Sequence, residues 1–155
     1  MIRFRYWLSV LLVLLVASCD PGMVYDQYMT TENGNWKWND VGVFEVEMSD
    51  TVSLHNIYLQ IRHTADYPMS NLYMFVLLKG PSGKFLKDTV NMVLAAPDGS
   101  WTGKGTGKLR ELRLLYRKQI RFDEPGTYSI SLEQAMRKSD LPVTDVGVRI
   151  ERVNP

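Results

Sequence analysis

A chain of 155 residues fits one domain. It is 45% hydrophobic and 23% charged with a formal net charge of +1, which excludes a disordered polar tail and gives no basic footprint for nucleic acid. A single cysteine excludes an internal disulfide, and it makes the usual cysteine-based zinc sites improbable.

The chain opens with Arg3 and Arg5 and no acid, followed by an almost wholly apolar run from Trp7 to Val16. A bilayer-spanning helix needs about 20 apolar residues, so this run reads as the core of a secretory signal over residues 1–18. It ends in Val16-Ala17-Ser18-Cys19, which is similar to the bacterial lipobox. There the cysteine thiol is acylated and the chain is cut just before it. Cys19 is therefore the expected lipid attachment site. Removing residues 1–18 takes away two of the 18 Lys and Arg and none of the 17 Asp and Glu, leaving a formal charge of −1. Acyl chains hold a protein to a membrane by burying methylenes, about 0.8 kcal/mol each, without a basic patch.

Residues 19–40 read as a lipid-anchored tether and lead-in segment, punctuated by Pro21-Gly22, Thr30-Thr31 and Asn33-Gly34-Asn35. Its rings, Tyr25, Tyr28, Trp36 and Trp38, are costly to leave in water, so part of it is expected to pack on the domain. From residue 41 to 155 a period of two dominates, as in half-buried strands. Phe44, Val46 and Met48 alternate with Glu45 and Glu47; Ile57, Leu59 and Ile61 alternate with Tyr58, Gln60 and Arg62. Leu72 to Leu78 is apolar on both parities, as expected of a strand inside a packed sheet. Phe85 to Leu94 is weaker. Leu112, Leu114, Tyr116, Ile120 and Phe122 share one face of a long strand, and Glu111, Arg113, Arg117, Gln119 and Arg121 the other. Tyr128, Ile130 and Leu132, then Val146, Val148 and Ile150, complete about seven strands.

The breaks carry turn chemistry, as in Gly80-Pro81-Ser82-Gly83, Pro97-Asp98-Gly99 and Glu124-Pro125-Gly126. The expected fold is all-β: an antiparallel two-sheet sandwich, immunoglobulin-like or jelly-roll-like, of seven or eight strands. Glu133 to Lys138 is its one candidate for a short helical turn.

No catalytic constellation stands out. His55 and His63 are eight residues apart, about 27 Å on a straight strand, too far to share a metal ion. No Gly-x-Ser-x-Gly elbow occurs. A hydrolase built on two carboxylates would need acids converging from separate loops, and the spacing favours no pair. Gly103-Lys104-Gly105-Thr106-Gly107-Lys108 misses the phosphate-loop spacing and precedes a strand rather than a helix, so it reads as a flexible loop. No catalytic residue, metal or cofactor is expected.

Two groups could make contacts. Trp36, Trp38 and Trp101 either cover the ends of the core or form an aromatic platform for a protein partner or a sugar. Arg113, Arg117 and Arg121, spaced by four, form either a solvated face or a partner-facing stripe.

Several stretches in order resemble the gliding-motility lipoprotein GldH family of Bacteroidetes. They are Val24-Tyr25-Asp26-Gln27-Tyr28, Asn35-Trp36-Lys37-Trp38, Ile61-Arg62-His63, Tyr67 to Leu72, Gly99 to Gly105, Gln134 to Arg137 and Asp145 to Glu151. The resemblance implies an envelope lipoprotein of the gliding machinery linked to type IX secretion, acting through contacts with other envelope proteins. It carries no catalytic residue. Only Asp20 is acidic between Cys19 and Pro21-Gly22, whereas surface lipoproteins of that phylum carry a denser acidic run. The resemblance thus implies the periplasmic face of the outer membrane. A carbohydrate-binding lipoprotein is the alternative.

Overall fold

The computed structural model describes residues 22–153; the signal segment and Cys19 lie outside the described residues. The strands are β1 (Met23–Thr30), β2 (Trp36–Lys37), β3 (Gly42–Met48), β4 (His55–Thr64), β5 (Asn71–Lys79), β6 (Phe85–Val93), β7 (Leu109–Ile120), β8 (Gly126–Gln134), β9 (Asp140–Leu141) and β10 (Val143–Arg152). The first sheet has the order β1-β10-β4-β7 and the second β3-β8-β5-β6; β2 and β9 form a small ribbon. All pairings are antiparallel. Among the long strands only β5 and β6 are both consecutive and paired, because each other connection crosses between sheets. Two four-stranded sheets wound this way make a jelly roll, which decides between the two sandwich types expected.

The alternation seen in the sequence explains the core. Phe44, Val46 and Met48 of β3, Ile57, Leu59 and Ile61 of β4, and Ile130 and Leu132 of β8 point into one continuous apolar layer. Val146, Val148 and Ile150 of β10 and Leu72, Met74 and Val76 of β5 complete it. At about 25 cal/mol per Å² of buried apolar surface, this layer is the main force holding the sheets together.

Three findings bear on the expectations. First, the lead-in segment, part of which was expected to pack on the domain, supplies a full strand: β1 lies along β10, from Met23 opposite Glu151 to Thr30 opposite Asp145. Tyr25 and Met29 pack against the core, but Gln27 between them is polar and exposed, which hid the period of two. Second, no helical turn forms at 133–138. β8 runs on to Gln134, and Ala135 N–H donates to the Tyr73 carbonyl. The buried Gln134 amide spans the following bend, donating to the Lys138 carbonyl at 2.7 Å and accepting from Met136 N–H at 2.9 Å. Those bonds supply what a helix would have supplied. The short 3-10 turn lies instead at Glu32–Gly34.

Third, β7 does not keep one parity. Its register against β4 shifts on both sides of the Ile57–Arg117 pair, and Gln119 takes a left-handed φ of 52°. Such bulges add residues to one strand and turn the side chains that follow.

The Gly103-Lys104-Gly105 stretch is also placed. Lys104 exchanges two backbone hydrogen bonds with Glu111, at 2.8 and 2.7 Å. A Cβ at Gly103 would come within 2.8 Å of the Glu111 carbonyl oxygen, and one at Gly105 within 2.1 Å of the Leu109 oxygen. The glycines let this loop lie on the start of β7 and cover its edge.

Candidate functional site

The two sheets present unlike outer faces. On the first sheet, Asp26 and Tyr28 of β1, Gly147, Arg149 and Glu151 of β10, Gln60 and Arg62 of β4, and Glu111 and Arg113 of β7 stand together. Gln60 is 0% exposed. Its amide donates to Asp26 Oδ1 at 2.7 Å and accepts from Arg113 Nε at 3.1 Å. Arg149 Nη1 donates to Asp26 Oδ2 and its Nε to Glu151 Oε1 at 2.6 Å. Burial works against the Arg149 charge, but the two carboxylates outweigh it and hold its pKa above the ordinary value.

Beside this group, the Tyr28 hydroxyl donates to Glu111 Oε1 at 3.2 Å, and Arg62 Nε donates to Glu111 Oε2 at 2.9 Å. The Arg62 guanidinium carbon stands 4.1 Å from the Tyr28 ring centroid. Burial, with the Glu111 charge second, pushes the Tyr28 phenol up to about 12. Tyr28 lies over Gly147, where a Cβ would meet its ring carbon at 2.7 Å. Positive and negative groups here face one another across neighbouring strands and fix one arrangement of β1, β10, β4 and β7.

The outer face of the second sheet is different. Tyr73, Phe75 and Leu77 follow one another at alternate positions of β5, with Val43 of β3 and Val93 of β6 on the same side. Tyr73, Phe75, Val43 and Val93 are exposed. Glu133, Ser131 and Ser129 of β8 and Asn91 and Thr89 of β6 stand around the stripe, with Glu133 directly opposite Phe75, and Lys87 Nζ lies 5.1 Å from the Phe75 centroid. β5 is thus apolar on both parities because one face fills the core and the other is an uncovered apolar stripe, not because both faces are packed. Sequence reading missed these residues. The signal available was an aromatic pair, Tyr73 and Phe75, on the parity opposite Leu72, Met74 and Val76.

The three tryptophans are not brought together as a platform. Trp36 is 0% exposed and donates from Nε1 to the Asp40 carbonyl at 2.8 Å, so it belongs to the core. Trp38, two residues on, is 67% exposed. Trp101 packs edge-on against buried His63, with centroids 4.7 Å apart. His63 and His55 both sit on the inner side of β4, each 0% exposed. Burial lowers both pKa values; Asp50 opposes this at His55, and the Thr64 carbonyl opposes it at His63.

The arginines do not form a stripe either. Arg113 faces outward in the network around Gln60, beside an open groove lined also by Thr102, Lys104 and Glu111. The bulges turn Arg117 toward the second sheet, where it and the Tyr116 hydroxyl both donate to Asp88 Oδ2 of β6. Arg121 lies past the end of β7 and donates from Nε to the Val52 carbonyl at 3.1 Å. Among the described residues, no group of His, Cys, Asp and Glu is placed to hold a metal ion. No helix of the described residues is long and apolar enough to cross a membrane.

Comparison with known proteins gives a consistent result. A GldH lipoprotein family model matches residues 23–150. A Christiangramia forsetii protein named gliding motility lipoprotein GldH homolog is 34% identical over 157 residues, covering 96% of each chain. The Flavobacterium johnsoniae gliding motility lipoprotein GldH is 32% identical over 151 residues, covering 92% of this chain and 93% of its own. Among solved structures, dimeric latent PorU from Porphyromonas gingivalis aligns at 12% identity and a TM-score of 0.35, over 88% of this chain and 13% of PorU. The match from β1 to β10 and the two relatives assign this chain to the GldH lipoprotein family.

Proposed function

We propose that this chain is a non-enzymatic component of a gliding motility machinery linked to type IX secretion. It is anchored through acyl chains on Cys19 in the outer membrane, faces the periplasm, and works by holding other envelope proteins. The observation that carries the contact role is the uncovered stripe of Tyr73, Phe75 and Leu77 with Val43 and Val93. The row of Tyr73, Phe75 and Leu77 along β5 lies between polar neighbours on β8 and β6, and an apolar row rimmed by polar residues is the kind of surface that meets a partner. Its aromatic pair, Tyr73 and Phe75, is of the type enriched at protein interfaces, and the polar residues beside it fit a rim. The names of the two relatives support the place in gliding. The burial of Trp36 weighs against the sugar-binding alternative, which calls for several exposed rings together.

The test is to replace Tyr73 and Phe75 by Ser in the full chain and to follow surface spreading and co-purification from detergent-solubilised envelopes. Folding is expected to hold, since both side chains are exposed. Loss of spreading together with loss of a specific co-purifying envelope protein is the expected result. Unchanged spreading and an unchanged set of co-purifying proteins would overturn the reading.

A further inference from the structure

We infer that the end of the sandwich formed by the 49–54 loop seats directly on the bilayer, so that the jelly roll stands on the membrane at a fixed orientation. This rests on acylation of Cys19, as proposed above, and adds which surface meets the lipid.

The argument begins with chain length. Gly22 is fixed to the domain, since its carbonyl accepts from Arg152 N–H at 2.7 Å. Three Cα–Cα steps separate it from Cys19, a reach of about 11 Å at most. β4 alone, with ten residues, is about 34 Å long. The acylated residue therefore cannot reach the far end of the sandwich, where Trp38 and the Glu32–Gly34 turn lie. It is confined to the end where Gly22 enters β1.

That end carries the right chemistry. The 49–54 loop joins β3 to β4 and is tied to the last strand: Val153 N–H donates to the Leu54 carbonyl at 2.8 Å, and Arg152 pairs with Asp50 at 3.2 Å. Asp50 also accepts from Val52 N–H and Ser53 N–H, at 3.0 and 2.9 Å, which holds the loop in one shape. Its tip, Val52, is 78% exposed, and Leu54 and Met23 beside it are exposed too. The β5–β6 hairpin turn lies at the same end, where Pro81 packs near Gly126, and it presents Phe85 at 71% exposure. Apolar tips on braced loops favour the headgroup and acyl boundary of a bilayer. The charges at their base are paired within the protein: Arg121 donates to the Val52 carbonyl, Arg152 pairs with Asp50, and Lys84 with Glu124 at 3.7 Å, so the apolar tips, not a basic patch, meet the lipid. The tether leaves too little length for a partner protein to fit between this end and the lipid.

The test uses the acylated full chain in phosphatidylethanolamine vesicles, with and without phosphatidylglycerol, after mass measurement has established the lipid on Cys19. An environment-sensitive fluorophore is placed on Val52→Cys or, at the far end, on Trp38→Cys, and quenched by lipids carrying nitroxides in their acyl chains. Both positions are exposed, so neither change threatens folding. The expected result is blue-shifted emission and several-fold stronger quenching at position 52 than at 38, in both vesicle types. Position 52 no more quenched than 38, whether both are wet or both are in lipid, would overturn the inference. So would a contact that disappears without phosphatidylglycerol. A mature chain with no acyl mass on Cys19 would instead overturn the anchor on which the inference rests.

Discussion

Replacing Gly147 by Ala probes the packing of β1 on the rest of the first sheet. The new Cβ would come within 2.6 Å of the Gln27 carbonyl oxygen and 2.7 Å of Tyr28 Cδ1. One neighbour is backbone and the other an aromatic ring, so neither can yield cheaply. Overpacking of this kind costs about 1–3 kcal/mol. If the Tyr28 ring swings away, its hydrogen bond to the Glu111 carboxylate is lost at about 1.5–3 kcal/mol, and its contact with Arg62 at about 0.5–1 kcal/mol. Both routes give a loss near 2–3 kcal/mol, a fall in Tm of about 8 °C for a domain of this size. Thermal unfolding of the soluble domain by circular dichroism measures it. Adding Tyr28→Ala should relieve the ring clash but not the backbone one, so the double variant should lose less than the sum of the singles. A Gly147→Ala protein within about 0.5 kcal/mol of the parent would refute the placement of β1 and Tyr28.

Further expectations concern the ends of the sandwich, the buried histidines and the glycine loop. Trp36→Ala should cost about 3–5 kcal/mol and Trp38→Ala less than about 0.5 kcal/mol in urea unfolding, because only the first ring fills the core. Equal losses would contradict the assignment. Burial lowers the folded pKa of His55 and His63 below the ordinary 6.5, so the unfolded chain takes up protons first as pH falls. Their contribution is whole above about 6.5 and is lost below it, with a slope of at most about 1.4 kcal/mol per pH unit for each. His55→Gln with His63→Gln should flatten the stability profile below pH 6.5, and an unaltered slope would count against it. Gly105→Ala should expose the start of β7, seen as faster amide exchange at Glu111, because its Cβ would meet the Leu109 oxygen; unchanged exchange would contradict the covered edge.

The sequence was legible where a strand has one apolar and one polar face. β3, β4 and β10 show their alternation plainly, and the core residues read from it are the buried ones. β1 was hidden because Gln27 breaks its inward set, and its partner β10 lies at the other end of the chain. The bulges of β7 leave no local signature, so spacing alone placed Arg113, Arg117 and Arg121 on one face that the fold divides. The Asp26, Gln60, Arg113 and Arg149 network joins four strands far apart in sequence, and only the strand order assembles it. The apolar stripe of β5 was visible as composition, but which of its faces met water depended on whether another layer covers the sheet.

Photo-crosslinking in intact cells tests the central claim most directly: that the open face of the second sheet holds a partner. A photoreactive phenylalanine analogue is placed at Phe75, and in a separate chain at Leu115 on the outer side of the first sheet. A discrete crosslinked envelope protein is expected from position 75 and not from 115. No product from 75, or the same product from both positions, would contradict the account.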